Sequence, residues 1–133
     1  MTRSTHTTKT SPNRVVGAAF GAVYVLVGLV GFAVTAGTGF AATSGAHLLI
    51  FEVNPLHNLV HIAVGALLGL AAWRGTKQAM AANGLVGGVY LLVGVAGLFL
   101  TGSELNLLAL NHADNVLHLV SAAVLLGVAL ARR

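Results

Sequence analysis

Four stretches of the chain, Val15–Ala36, Leu56–Trp73, Gly84–Thr101 and Val116–Ala131, contain no Asp, Glu, Lys or Arg. A helix needs about 20 apolar residues, rising about 1.5 Å each, to cross the hydrocarbon of a bilayer. All four runs reach that span once their flanks are counted. Only helices and closed barrels cross lipid with every backbone group paired, and runs this long and continuous are helical. The expected class is therefore all-α, an integral membrane four-helix bundle. Composition agrees: 56% of the residues are hydrophobic and 8% charged, with a mean hydropathy of +0.88, whereas soluble domains carry about a quarter charged residues. The absence of cysteine removes disulfides, thiolate metal ligands and thiol nucleophiles from consideration.

The few charges sort by position. Arg3, Lys9, Arg14, Arg74, Lys77, Arg132 and Arg133 fall in the N-terminal tail, the middle loop or the C-terminus, and the other two loops hold no basic residue. Although the pI is near 10.4, this scatter is a topology signal rather than a nucleic-acid patch, and it predicts both termini in the cytoplasm. All three acids, Glu52, Glu104 and Asp114, and five of the six histidines lie toward the opposite end. The expected location is the inner (plasma) membrane, with the lipid bilayer as the first partner and a second copy or another membrane protein as a further one. The first apolar run has 22 residues, longer than the roughly 7–15 of a cleaved signal peptide. Residues 1–13 read as a disordered cytoplasmic tail, in which His6 carries no weight, and residues 14–133 as the membrane domain.

The domain contains an internal repeat. "GAVYVLVGLVGFAVT" (Gly21–Thr35) and "GGVYLLVGVAGLFLT" (Gly87–Thr101) agree at eight of fifteen positions, including Tyr24/Tyr90, Gly28/Gly94 and Gly31/Gly97. At an offset of 57, "NPLHNLVH" aligns with "NHADNVLH", pairing Asn54/Asn111, Asn58/Asn115 and His61/His118. The pattern predicts two tandem, parallel two-helix hairpins, about 15–74 and 84–131, related by an axis along the membrane normal. Gly17/Gly21, Gly65/Gly69 and Gly84/Gly88 have the spacing that lets helix backbones approach closely. The outer loops carry "AHLLIFEV" and "ELNLLAL", which predict short helices lying at the interface or over the mouth of the bundle. Trp73, Arg74 and Gly75 read as an interfacial anchor and a helix stop.

The informative residues form a polar stripe. At about 100° per residue, Asn54, His57, Asn58, His61 and Gly65 share one face of the second helix. Asn111, Asp114, Asn115 and His118 share the same face of the fourth, with Ser121 at its edge. Asn54 ahead of Pro55 is an N-cap, and Asn111 or Asp114 caps the fourth helix. Polar groups facing lipid unsatisfied would cost several kcal/mol, so both stripes should face inward. If they face a twofold axis, His61 meets His118 and His57 meets Asp114 one turn above. Tyr24 and Tyr90 read as interhelical hydrogen-bond donors.

Three functions suit such a cluster. The leading one is structural: Asn and His fix helix register in an accessory membrane protein. The second is a metal or haem b site with His61 and His118 as ligands, since imidazole suits transition metals and bis-histidine haem ligation occurs between bundle helices. The third is a proton-linked transporter or channel, although the stripe turns apolar below His61 and His118. An enzymatic reading lacks a nucleophile, a phosphate loop or a zinc-protease motif.

"FEVNPLHNLVH" and "ADNVLHLV" resemble the signatures of a domain-of-unknown-function family of small bacterial, chiefly actinobacterial, four-helix membrane proteins. The resemblance runs from about Arg14 to the end of the chain. It marks Asn54, Pro55, His57, Asn58 and His61 in the first motif, and Asp114, Asn115 and His118 in the second. It implies the fold and the membrane location without an activity.

Overall fold

The structure, a computed structural model, describes residues 10–131. The expected tail lies for the most part outside the described residues, and so does His6. Four helices dominate: α1 (Pro12–Val34), α2 (Pro55–Arg74), α3 (Thr76–Leu100) and α4 (His112–Leu130). All four are long and apolar enough to cross a membrane, and the chain is a multi-pass membrane protein.

Local chemistry sets the helix ends. Ser11 caps α1 by accepting the Arg14 N–H, with Pro12 in the first turn. Asn54 caps α2 by accepting the His57 N–H at 2.8 Å, with Pro55 following. At α4, Asn111 and Asp114 cap together. Asn111 Oδ1 accepts the Asp114 N–H, and Asp114 Oδ2 accepts the Asn111 N–H, each at 2.9 Å. This reciprocal pair satisfies two donors that a helix start would otherwise leave open.

Two boundaries differ from the sequence expectation. The helix α1 begins at Pro12, inside the stretch read as tail, and Asn13 is fully buried. Likewise α3 starts at Thr76, so the middle loop shrinks to Gly75 between α2 and α3. Gly75 has φ 143°, a conformation that suits glycine. An apolar run measures contact with lipid rather than helix length, and Lys77, Gln78 and Met80 are good helix formers that carry α3 beyond it.

The expected helices in the outer loops are absent from the structure. The first loop forms an antiparallel hairpin, β1 (Ala46–Leu48) paired with β2 (Phe51–Val53). Glu52 braces it, its Oε1 accepting the Gly45 N–H at 2.6 Å and the Ser44 hydroxyl at 3.3 Å. The second loop is a series of turns around Asn106, which accepts the Leu110 N–H and donates to the Leu110 carbonyl, both at 2.9 Å. Short apolar runs like these are far below the roughly 12–15 residues at which a helix sustains itself. Side-chain bonds to nearby backbone therefore decide their shape.

The helix α1 packs mainly on α2, and α3 mainly on α4. Close approach depends on glycine at particular places. A Cβ at Gly21 would lie 2.7 Å from the Gly69 nitrogen and 2.8 Å from the Gly65 carbonyl; one at Gly65 would lie 2.7 Å from both the Gly21 carbonyl and the Val25 nitrogen. Gly84 and Gly88, expected to act similarly, do not: a Cβ at Gly84 would make one ordinary contact, and none at Gly88. In α3 the close approaches fall at Gly87, Gly94 and Gly97 instead. The core includes Tyr24, Leu68, Val86, Tyr90, Ala122 and Leu125. Leucines, valines and phenylalanines lie exposed on the outer faces, the arrangement expected where lipid is the solvent.

Candidate metal centre

The buried faces of α2 and α4 match the predicted stripe: His57, Asn58, His61 and Gly65 in one, Asp114, Asn115, His118 and Ser121 in the other. The side chains on these faces divide into two sets with different chemistry.

The asparagines join helices. Asn58 Nδ2 donates to Thr35 Oγ1 at 3.1 Å, and the Thr35 hydroxyl donates to the Gly31 carbonyl at 3.1 Å. Asn115 Nδ2 donates to Thr101 Oγ1 at 3.2 Å, and the Thr101 hydroxyl donates to the Gly97 carbonyl at 2.7 Å. The carboxamide oxygens of Asn58 and Asn115 rest against the α-carbons of Gly31 and Gly97, where any side chain would collide with them. The caps also reach across the bundle: Asn54 Nδ2 donates to the Leu107 carbonyl at 2.8 Å, and Asn111 Nδ2 to the Ile50 carbonyl at 2.9 Å. Asn54 and Asn111 are 57 residues apart, as are Ile50 and Leu107. The two cap bonds are therefore reciprocal. They clasp the outer loops over the polar faces.

A second asparagine joint closes the opposite end. Asn83 Nδ2 donates to the Asn13 carbonyl and to its Oδ1, both at 3.0 Å, and Asn13 Nδ2 donates to the Val128 carbonyl at 2.9 Å. Sequence reading passed over this pair because Asn13 lies among tail-like residues. The usable signal was Asn83 itself, a carboxamide within a helix that demands a partner.

The histidines behave differently. His57, His61 and His118 are each no more than 2% exposed. Their ring centroids lie 4.4 Å (His57–His61), 5.7 Å (His57–His118) and 6.0 Å (His61–His118) apart. Each ring offers one nitrogen such that the three lie within 4.8 Å of one another. Both nitrogens of His57, both of His61 and Nδ1 of His118 are buried without a hydrogen-bond partner. Tyr24 packs on His61 at 5.0 Å and Tyr90 on His118 at 4.9 Å, while the two phenols meet edge to face at 5.1 Å. The Tyr24 hydroxyl bonds Ser121 Oγ at 2.7 Å, an interhelical bond as expected. The Tyr90 hydroxyl has no partner.

One expected contact does not form. Among the described residues, no hydrogen bond or ion pair joins His57 to Asp114. Asp114 Oδ2 is taken by the N–H groups of Asn111 and, at 3.2 Å, Glu52. With its carboxylate committed to the loop backbone, Asp114 leaves His57 to turn toward the other two imidazoles. The group that could hold a metal ion thus comprises His57 as well as His61 and His118. His47 and His112 are exposed and stand apart from the cluster.

The cluster fits one ion. Imidazole nitrogens bind zinc at about 2.0–2.1 Å, so two nitrogens on one ion are at most about 4 Å apart, a modest contraction from the observed spacing. A haem fits poorly. Its macrocycle would need a flat slot between His61 and His118, and the His57, Tyr24 and Tyr90 rings already fill that space.

No curated protein and no solved structure matches the chain. A family model described as a domain of unknown function, DUF4383, matches residues 14–131, which contain α2, α3, α4, both strands and all of α1 but its first two residues. The chain belongs to the DUF4383 family.

Proposed function

We propose that this protein holds one first-row transition-metal ion in the membrane, bound by His57, His61 and His118 near the outer face of a bundle made of two duplicated hairpins. The observation that carries the reading is the set of buried imidazole nitrogens without partners, converging to within 4.8 Å. A buried polar atom left unsatisfied costs about 1–3 kcal/mol; Asn58 and Asn115 on the same helices each make an interhelical bond through Nδ2, while both ring nitrogens of His57 and of His61 are unpartnered. One ion satisfies an acceptor on each of three rings together.

Orientation follows from charge. Arg14, Arg74 and Lys77 lie at the end opposite Glu52, Glu104 and Asp114, which supports cytoplasmic termini and a plasma-membrane location. His61 then sits seven residues below the Asn54 cap, a depth of about 10 Å at helical rise.

The test is metal content. The full-length protein, purified in detergent and offered zinc, copper, nickel or cobalt ions separately, is expected to retain one ion per chain. The combined His57→Ala, His61→Ala, His118→Ala variant, checked for unchanged helicity by circular dichroism, is expected to retain none. Equal retention by both proteins would overturn the reading. A reporter fused after Arg133 that proves to lie outside the cell would reverse the orientation.

A further inference from the structure

The two helical hairpins meet along two seams, and the seam of α1 with α4 is packed more loosely than that of α2 with α3. Two cavities lie along the looser seam. One, of about 230 Å³, sits under the β-hairpin at Leu49, between Leu26, Val27 and Val30 of α1 and Leu117 of α4. The other, of about 310 Å³, continues from Val27 past Tyr24 to Ala19, with Leu117 and Ser121 opposite. Val27 and Leu117 border both, so the cavities form one groove. Its α1 edge faces lipid, with Leu26 61% and Val30 45% exposed.

The groove offers carbon. His61 and Asp114 border the upper cavity, but its surface is apolar. The His61 nitrogens are buried, and Asp114 Oδ2 is turned to the N–H groups of Asn111 and Glu52. In the lower cavity the Tyr24 hydroxyl and Ser121 Oγ are bonded to each other. Apolar space of this kind excludes water. It also excludes a helix, which at about 10 Å across fills roughly 400 Å³ per turn, more than either cavity. From Val30 to Ala19 the groove runs eleven residues, about 16 Å at helical rise. One leaflet of a bilayer core is about 15 Å deep. We propose that this groove binds one acyl chain of a phospholipid from the leaflet on the β-hairpin side, laid along α1 and α4 beside the Tyr24 and His61 rings. Such a site exists with or without an ion at the histidines.

The lip of the groove carries a second sign. Leu49, at the hairpin turn, has φ 58° and is 87% exposed. Glycine or asparagine takes that conformation in a hairpin turn with less strain. A leucine held there against its steric preference and open to the surroundings suits a turn that enters hydrocarbon, where its side chain walls the groove.

The test counts lipid. The full-length protein in detergent is titrated with a phosphatidylglycerol and, separately, with a phosphatidylethanolamine of the same chains, and adducts are counted by native mass spectrometry. One lipid per chain is expected to bind ahead of further, weaker adducts, with either headgroup. Val27→Phe and Leu117→Phe, which fill the groove from opposite walls, are each expected to weaken that first adduct about tenfold, the effect of excluding roughly two methylenes of the chain. Helicity by circular dichroism should be unchanged in both. Leu92→Phe, on the lipid-facing side of α3 and 71% exposed, should bind as the native protein does. So should His57→Ala, which removes a ring of the metal site but no wall of the groove. The absence of a distinct first adduct, or native affinity in both groove-filling variants, overturns the lipid site and leaves the metal reading untouched. A first adduct that depends on one headgroup overturns recognition through the chain.

Discussion

Asn58 and His61 are three residues apart on one buried helix face, and Asn115 and His118 repeat the spacing on another. The asparagine layer meets threonine hydroxyls and glycine carbons within its own helix pair. In the histidine layer next to it, the rings meet one another and two phenols, with nitrogens left open. Each asparagine thus makes one interhelical bond through its Nδ2 while its Oδ1 is unpartnered, whereas both ring nitrogens of His57 and of His61 are unpartnered. Helices that needed polar groups for register alone would already have them in the asparagine layer.

The strongest way to break this contrast is to supply the ion. At a free concentration one hundred times its dissociation constant, a ligand stabilises the folded state by about 2.7 kcal/mol. Native protein should gain roughly that in chemical or thermal denaturation, and the three-histidine variant should gain nothing. Almost as large is the effect of filling the close approach between α1 and α2. Gly65→Ala or Gly21→Ala places a methyl against backbone of the facing helix and should cost about 1–3 kcal/mol. Gly88→Ala, which meets open space, should be close to neutral in the same denaturation assay.

Smaller effects test the asparagine layer itself. Asn115→Ala should destabilise by about 0.6–1.7 kcal/mol, the range of interhelical side-chain bonds in membranes. Combined with Thr101→Val it should cost less than the sum of the two, because they remove one shared bond. The smallest expected effect is also the sharpest. Without metal, His61→Leu should leave stability unchanged or slightly raised, since it removes two unpartnered nitrogens. A loss above about 1 kcal/mol in that variant would move the histidines into the structural class with the asparagines.

Much of this was legible from residue order. The buried faces of α2 and α4 follow the helical period of their polar residues, because in lipid such residues have only the interior to face. Asn54 and Asn111 were legible as caps because capping is decided within three residues. The matching of Thr35 with Thr101 at an offset of 66 was visible, but their role as acceptors for Asn58 and Asn115 was not. That role depends on how far each helix is rotated against its neighbour. His57 was assigned the wrong partner for a similar reason: symmetry pointed to Asp114, but backbone N–H groups from Glu52 and Asn111 had already claimed that carboxylate.

Residue order by itself determined that this chain crosses a membrane four times, which face of α2 and α4 turns inward, and where those helices begin. These features follow from the solvent, the helical period and local capping, each acting over a few residues. The tertiary structure alone decided that three histidines converge, that the first outer loop pairs as strands, and which glycines bring helices together. Those outcomes depend on distances between segments about sixty residues apart, set by every contact of the bundle together rather than by any one stretch of the chain.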